Sequence, residues 1–407
     1  MPVSEMPVSG MPVSEIVRVA ARGEGVTADG RHVAFAAPGD LIGADGTLTP
    51  GPHHARPPCR HFPACGGCQL QHLDAASWAG FITDRVVSAL AGQGLSADIR
   101  PPLLSSPRTR RRATLHWEPA GRLGFTAEKS HAIVDLAECH VLAPELFALV
   151  APLKRLLGKL RLKRRLDLHL TLADQGVDLL VSGALPDGLA AAEAVSDFAR
   201  RHGLARIAFD EGHGHEVRWE PDAVTVTLSD VPVPLPPGAF LQATREGEAA
   251  LVAAVREATA GAATVADLFA GLGTFALALP GRAYAAEGAR DAILSLKLAA
   301  ARAGRAVFIE HRDLYRRPLA PEEINRFAAI VLDPPRAGAR EQAQALAAGN
   351  APVIAYVSCN PASFARDAKT LCEAGYRIAW VQPVGQFLWS THVELVARFT
   401  RPDSPPR

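Results

Sequence analysis

The chain has 407 residues, of which 48% are hydrophobic and 21% are charged, and its formal net charge is +1. This length predicts two or three domains, and the composition excludes a globally disordered chain. The near-neutral charge excludes a uniformly basic nucleic-acid coat, so any nucleic-acid surface must be local. No apolar run reaches the roughly 18–20 residues that span a bilayer, and the N-terminus lacks a signal-peptide pattern. We therefore expect a cytoplasmic protein without membrane contact.

The N-terminal region predicts a tail followed by a small β segment. Residues 1–15 repeat Met-Pro-Val-Ser three times and predict a disordered tail. In residues 16–50, turn signals such as Gly23-Glu-Gly25 and Pro38-Gly39 separate short β-rich runs. This segment resembles the beginning of a TRAM domain, an OB-like RNA-binding barrel, in truncated form.

Four cysteines in the first half of the chain predict a metal centre. Cys59, Cys65 and Cys68 have C-x5-C-x2-C spacing and can reach one centre, and the two glycines before Cys68 let the loop wrap closely. Cys139 is the candidate fourth ligand. Clustered cysteines in a cytosolic chain favour metal over disulfides. A 4Fe–4S cluster suits this set, and tetrahedral zinc, with four thiolates or three thiolates and an imidazole, is the alternative.

Residues 51–235 as a whole predict a small α+β domain that carries the metal centre and binds RNA. A helix is expected over 73–91 with Asp74 as its cap. Antiparallel strands are expected between 167 and 230, interrupted by a helix at about 189–201. The basic residues Arg110, Arg111 and Arg112 enter a strand beside the metal loop and are candidate phosphate contacts. A second basic stretch, residues 154–165, is equally compatible with an RNA surface and a solvated helix face.

Residues 236–407 predict a doubly wound α/β sheet, because strands and helices alternate. A glycine turn, Gly271-Leu-Gly273, follows the first strand and lets backbone approach a ligand, with a helix expected from about Phe275. This turn also passes a relaxed dinucleotide fingerprint, so an NAD site is an alternative for this piece. An acidic residue stands at or just after the end of each of the next three predicted strands: Glu287, Asp313 and Asp333. The last predicted strand of the chain carries Glu394.

Cys359 follows the strand predicted at 353–357 and precedes a helical pattern at 362–374. Ligands of open α/β sheets bind at the carboxyl ends of strands. A thiol at such an end is a candidate nucleophile, and the alternative is a buried cysteine that acts as a small hydrophobe. Asp333-Pro-Pro, Cys359 and Glu394 have no evident role in hydride transfer, whereas they suit methylation of a pyrimidine ring.

Together these motifs resemble the uracil-C5 RNA methyltransferases that use S-adenosylmethionine. The matching stretches lie in the family's order from Cys59 onward, at 59–73, 110–112, 137–141, 240–242, 267–275, 332–338, 356–367 and 392–395. The four cysteines are typical of the family's ribosomal-RNA branch, so the resemblance implies 23S ribosomal RNA as the substrate. Transfer RNA is the alternative substrate.

The resemblance also implies roles for single residues. Cys359 would add to carbon 6 of uracil as a thiolate, which requires a lowered pKa, and Glu394 would remove the proton from carbon 5. The target base would be flipped out of unpaired RNA, and the iron–sulfur cluster would hold the RNA-binding domain in shape. Residues expected at the cofactor site are Gln242, Phe269, Gly271, Gly273, Glu287, Asp313 and Asp333.

Three other functions remain compatible with parts of the sequence. An amino-group methyltransferase would use Asp333-Pro-Pro without needing a thiol. A radical or redox iron–sulfur enzyme would show a different cysteine spacing. An RNA-binding protein with a degenerate catalytic domain would not need both Cys359 and Glu394. Nothing in the sequence marks a subunit interface, so a monomer is expected.

Overall fold

The computed structural model describes residues 13–401, so residues 1–12 of the predicted tail lie outside the described part. An antiparallel five-stranded sheet begins inside the predicted tail, at Ser14, and has the strand order β3-β2-β1-β4-β5. Its strands are β1 (Ser14–Val19), β2 (Gly25–Thr27), β3 (His32–Val33), β4 (Leu41–Ile42) and β5 (Leu48–Thr49). The helix α1 (Ala75–Ala91) follows, and its predicted cap is confirmed because Asp74 accepts a hydrogen bond from the amide of Ser77 at 2.7 Å.

A six-stranded sheet with order β12-β11-β10-β9-β7-β8 forms the central unit. The short strand β6 (Leu103–Leu104) precedes this unit and joins the C-terminal sheet. The elements of the central unit are β7 (Arg112–Trp117), β8 (Leu123–Gly124), α2 (Pro144–Ala148), α3 (Val150–Lys159), β9 (Leu166–Ala173), β10 (Gly176–Ser182), α4 (Leu189–Arg201), β11 (Leu204–Asp210) and β12 (His215–Trp219). The expected antiparallel pairing is present between β9 and β10 and between β11 and β12, whereas β10 and β11 run parallel. The helix α4 carries the chain back between them, as a parallel pair requires.

A proline-containing hairpin precedes the C-terminal half. Its strands are β13 (Thr225–Leu228) and β14 (Val231–Pro234), and β14 hydrogen-bonds only to β13 among the described strands. Proline lacks an amide hydrogen and is therefore tolerated on such an edge strand.

The C-terminal half confirms the α/β prediction with an eight-stranded sheet of order β17-β16-β15-β18-β19-β21-β20-β6. Its elements are α5 (Arg245–Ala258), β15 (Thr264–Leu268), β16 (Arg282–Glu287), α6 (Arg290–Arg302), β17 (Val307–His311), α7 (Pro321–Ile324), β18 (Ala329–Leu332), α8 (Arg340–Ala348), β19 (Val353–Ser358), α9 (Pro361–Glu373), β20 (Arg377–Gly385) and β21 (Glu394–Thr400). The strands from β17 to β19 are parallel, and β21 is antiparallel to both of its neighbours.

Helices cover both faces of this sheet, with α1, α8 and α9 on one face and α5 on the other. The helix predicted from Phe275 is absent from the described structure, where 271–278 forms consecutive turns. The backbone is left-handed at Phe269, Gly271 and Gly273, and Pro280-Gly281 follows the turns, so a regular helix has no room to develop. Within residues 13–401, no helix is both long and apolar enough to cross a membrane.

Candidate active site

The strand pairing brings the predicted nucleophile and base together. Ser358 at the end of β19 pairs with Leu395 of β21, so the next step of the antiparallel register sets Cys359 opposite Glu394. The strand β21 lies between β19 and β20, and Glu394 is 6% exposed. Glu394 is therefore an interior carboxylate rather than a surface group on an edge strand.

The thiol of Cys359 is not pre-ionised in the free protein. Burial, followed by the charges of Glu394 and Asp333, raises the pKa of Cys359 to about 11. The guanidinium of Arg336 acts in the opposite direction but is outweighed. The expectation of a lowered pKa is thus wrong for the free protein, because two carboxylates and desolvation oppose one exposed cation. The thiol must lose its proton during the reaction.

The carboxyl groups around this thiol hold protons more tightly than usual. Burial, with a contribution from the charge of Asp333, raises the pKa of Glu394 to about 8. Burial and the charge of Glu287 raise the pKa of Asp333 to about 7. Pairs of titratable groups with such shifts are typical of sites that move protons near neutral pH.

A network of hydrogen bonds fixes the loop 333–339 against the nucleophile. The carbonyl of Arg336 accepts from the side chains of Asn360 and Ser363, each at 3.1 Å. The buried carboxylate of Asp367 accepts from the hydroxyl of Tyr356 at 2.7 Å and from the amide of Ala339 at 2.8 Å. This network ties the nucleophile's strand and helix to the loop that carries Asp333 and Arg336.

The carboxyl ends of β15 and β16 form a second recess beside this centre. Glu287 accepts from the amide of Gly271 at 2.9 Å, and the ring of Phe269 lies 5.4 Å from that of Tyr315. A Cβ at Gly273 would lie 2.3 Å from a methyl of Leu296, so this turn admits only glycine. The turn therefore allows the close backbone approach that a bound nucleoside requires.

An orphaned polar atom adds to this recess. One oxygen of the fully buried Asp267 accepts from the amide of Ala276 at 2.8 Å, and its other oxygen has no partner. Burial raises the pKa of Asp267 well above its ordinary range. A buried carboxylate oxygen without a partner is costly in the free protein, which is typical of a site completed by a ligand.

Two further residues predicted at the cofactor site differ in their exposure. Gln242 is buried, and its side-chain oxygen accepts from Gln386 at 2.8 Å. Asp313 is exposed and accepts from the amide of Tyr315 at 3.0 Å. Gly288 connects the latter to the recess, because a Cβ at Gly288 would lie 3.8 Å from the Cα of Asp313.

All four predicted metal-ligating cysteines line one small cavity. These residues are Cys59, Cys65, Cys68 and Cys139. The pKa of Cys68 is raised to about 12, mainly by burial, and the charges of the other three thiols act in the same direction. Within residues 13–401, no three His, Cys, Asp or Glu side chains are placed to hold a single metal ion.

The backbone of the cysteine loop is closely packed. A Cβ at Gly66 would lie 2.8 Å from the carbonyl of Thr126, and one at Gly67 would lie 3.5 Å from the sulfur of Cys65. These two glycines therefore permit the close wrapping that the sequence predicts. Of the nearby histidines, His140 lines the cavity, whereas His61 accepts from the amide of Ala137 at 3.0 Å.

The three arginines of the basic run have different surroundings. Arg111 is 2% exposed, pairs with Glu248 and donates to the carbonyl of Gln242 at 3.1 Å. This burial corrects the predicted RNA contact at Arg111, whose role here is to join the central unit to the C-terminal half. Arg110 and Arg112 instead line a cleft of mixed polar character between the cysteine loop and the segment 387–392.

Several residues of this site were not singled out from the sequence. Arg336 and Asp367 lie within stretches that carry the family resemblance, yet their contacts depend on the fold. Asp267 ends a buried strand, where an acidic residue is itself a signal. Gln386, which donates to Gln242, lies in an unremarkable stretch before β21 and had no sequence signal.

Comparison with known proteins assigns the family. Residues 291–401 match the model of the tRNA (uracil-5-)-methyltransferase family. An RNA methyltransferase of Zymomonas mobilis is 52% identical over 396 residues, which cover 96% of this chain and 100% of that protein. A 23S rRNA (uracil(1939)-C(5))-methyltransferase of Halomonas elongata is 33% identical over 381 residues, covering 86% of this chain and 78% of that protein. The chain belongs to the uracil-C5 RNA methyltransferases.

The fold agrees with this assignment. The structure of the Pyrococcus abyssi tRNA (uracil-54, C5)-methyltransferase, in complex with S-adenosyl-L-homocysteine, superposes with a TM-score of 0.75 at 24% identity. The match covers 95% of this chain and 99% of that chain. The predicted family, fold class and enzyme class, an S-adenosylmethionine-dependent RNA (uracil-5-)-methyltransferase, are confirmed.

Proposed function

We propose that this enzyme methylates carbon 5 of a uridine in 23S ribosomal RNA through a covalent bond between Cys359 and carbon 6. The observation that carries the mechanism is the placement of Cys359 opposite Glu394 at the end of adjacent strands. The ribosomal substrate is supported by the relative of 33% identity that acts on 23S rRNA and by the four cysteines around one cavity.

Cys359 begins the reaction as a protonated thiol, since its pKa is about 11. Loss of this proton to a neighbouring carboxylate gives the thiolate, whose electron pair forms the sulfur–carbon 6 bond. The uracil double bond moves to make an enolate that is nucleophilic at carbon 5. The exposed guanidinium of Arg336 favours the thiolate, because it is a positive charge near the sulfur.

Glu394 completes the reaction. Once carbon 5 carries its methyl group, the carboxylate of Glu394 takes the remaining carbon 5 proton. The electron pair of that bond restores the double bond, and the thiolate of Cys359 leaves carbon 6. A pKa of about 8 lets Glu394 accept this proton and return it to solvent near neutral pH.

S-adenosylmethionine, when bound, supplies the methyl group to carbon 5. The recess at the ends of β15 and β16 suits its nucleoside part: Glu287 is placed for the ribose hydroxyls, and Phe269 offers an aromatic face. In this placement Asp313 would lie toward the adenine, and Gln242 and Asp333 would complete the proposed set of cofactor contacts. The orphaned oxygen of Asp267 and the glycine turn support this placement.

The cavity lined by the four cysteines suits a 4Fe–4S cluster. Four cysteines that line one cavity supply the number of thiol ligands that such a cluster takes. Such a cluster would stabilise the cysteine loop, which borders the cleft lined by Arg110 and Arg112. Zinc is the competing occupant, and analysis of iron, sulfide and zinc in protein purified without oxygen distinguishes the two.

Mapping of 5-methyluridine in RNA from cells with and without this gene tests the proposed function. Loss of the modification at one uridine of 23S rRNA, restored by the wild-type gene but not by Cys359→Ala, is the expected result. Loss in transfer RNA alone would refute the ribosomal substrate but keep the chemistry. Full complementation by Cys359→Ala would refute the covalent mechanism and favour methylation of an amino group.

A further inference from the structure

The outer face of the central six-stranded sheet carries a row of polar side chains. On β7, the side chains of Arg112, Thr114 and His116 are half-buried, whereas the alternate residues are buried in the core under α2, α3 and α4. On the neighbouring strand β9, Asp167 and His169 share this outer face. The helices thus cover the inner face, and the polar row lies on the other.

Hydrogen bonds hold two imidazole rings in this row. His169 Nδ1 lies 3.0 Å from the hydroxyl of Thr114, and His116 Nδ1 lies 2.7 Å from a carboxylate oxygen of Asp167. Burial lowers the pKa of His169, which favours the neutral ring. Histidine rings are among the side chains on which unpaired RNA bases stack.

The row connects two basic regions. Its near end is the cleft lined by Arg110, Arg112 and His392. His392 stands two residues before Glu394 in the chain, so this end lies beside the active site. Its far end is the loop before β9, where Lys163 and Arg164 are exposed. Between the pair Arg112–Thr171 and the pair Trp117–Leu166 the ladder makes five steps, so the ends lie about 17 Å apart at roughly 3.4 Å per residue.

We propose that this outer face is a track for single-stranded RNA next to the target uridine. The inference rests on the proposed function. Bases stack on His169 and His116, and the phosphates continue to a basic loop that includes Arg161, Lys163 and Arg164. None of these three cations forms an ion pair with another described residue. At roughly 3.4 Å per stacked nucleotide, the track holds about five nucleotides.

Salt-dependent binding of the full-length enzyme to an unpaired RNA of about 20 nucleotides with a central uridine tests the basic end. The triple variant R161Q/K163Q/R164Q should lower the slope of log affinity against log salt by about 2 in magnitude, at about 0.7 per lost phosphate contact. The matched control removes three exposed cations of the C-terminal half, K297Q/R302Q/R305Q, and should leave the slope unchanged. An unchanged slope in the first variant, or an equal change in both variants, would refute the track. The outer face would then be assigned to contact with another protein.

The stacking positions are tested on the same RNA. His169→Ala should weaken binding by at least about fivefold, whereas His202→Ala, at the end of α4, should not change it. Trimming the RNA to about three nucleotides on each side of the uridine should abolish the difference between the wild type and the triple variant, because such an RNA does not reach the basic loop. A difference that persists on the trimmed RNA would contradict a track of this length.

Methyl transfer is measured separately on the mapped site. If the wild type binds as described but transfers no methyl group to uridine carbon 5, the proposed function fails and the binding track stands. If methylation is normal and the track variants bind as the wild type does, the track alone fails.

Discussion

Replacing Glu394 with glutamine separates two consequences of one buried carboxylate. Glutamine has nearly the same shape and retains a polar group toward Gln386, but it cannot accept the carbon 5 proton. We therefore expect E394Q to form the covalent bond and to methylate carbon 5, and then to stop. RNA should remain attached to Cys359, because elimination of the thiolate requires removal of that proton.

The same substitution should stabilise the free protein at high pH. Burial raises the pKa of Glu394 from 4.5 to about 8, so the folded state binds this proton more tightly than the unfolded state does. Stability from this group is present below pH 4.5 and is lost as the pH rises through about 8. The shift of roughly 3.5 units corresponds to about 5 kcal/mol at about 1.4 kcal/mol per unit. Because buried glutamine also has a desolvation cost, we expect a net gain of about 2–4 kcal/mol at about pH 9 and almost none at about pH 5.

Both consequences have direct assays. A denaturing gel of E394Q with substrate RNA should show a retarded protein–RNA band that Cys359→Ala abolishes, and the trapped nucleotide should carry the methyl group. Urea unfolding across the pH range gives the stability difference. Normal turnover by E394Q would refute its role as base, and a stability difference that does not change with pH would refute the raised pKa. A variant that forms no adduct would assign Glu394 to thiol deprotonation instead.

Four further predictions address the surroundings of the reaction. In single-turnover measurements, the rate at which the wild type releases methylated RNA from Cys359 should rise with pH through about 8, the pKa of Glu394, since its carboxylate takes the carbon 5 proton; a release rate that falls over this range would contradict it. D367N should destabilise the protein by about 1–3 kcal/mol, because the hydrogen bonds that Asp367 accepts from Tyr356 and Ala339 position the loop 333–339. It should lower kcat by a larger factor than it changes KM for RNA, and Tyr356→Phe, which removes one of the two hydrogen bonds, should have a smaller effect. G273A should destabilise by about 2–4 kcal/mol, because its Cβ would meet Leu296 in a left-handed backbone, whereas G271A, with open space around it, should cost only about 1–2 kcal/mol. C139S should lower the bound iron and weaken RNA binding while S-adenosylmethionine still binds, as calorimetry can show; iron content equal to that of the wild type would contradict its role as a ligand.

Much of this site follows from sequence, because strand ends are easy to locate. Thiol and carboxylate residues stand directly after apolar runs, and the parallel sheet gathers such ends at one edge. The carboxyl ends of β16, β18 and β19 therefore carry Glu287, Asp333 and Cys359, as the pattern indicates. Short-range capping is equally readable, as Asp74 shows.

Features that depend on long-range packing did not follow from the sequence. Arg111 looks like its two neighbours in the chain, yet its side chain is buried against Glu248 of the C-terminal half. Glycines mark both ends of strand β11 in the sequence, yet its parallel pairing with β10 depends on how α4 carries the chain back. The pKa of Cys359 also depends on distant residues, since the carboxylates that raise it come from other strands.

These carboxylates pose the central problem of the mechanism, since they hinder formation of the thiolate that the reaction requires. In the free protein the pKa of Cys359 is about 11 and that of the other neighbouring carboxyl, Asp333, is about 7. Transfer of the thiol proton to Asp333 therefore costs about 5–6 kcal/mol, at about 1.4 kcal/mol per unit. Positive charge that enters the site with the sulfonium of the methyl donor favours the thiolate more than the thiol. The same negative surroundings that keep the nucleophile protonated in the free enzyme thus make its ionisation depend on the bound donor.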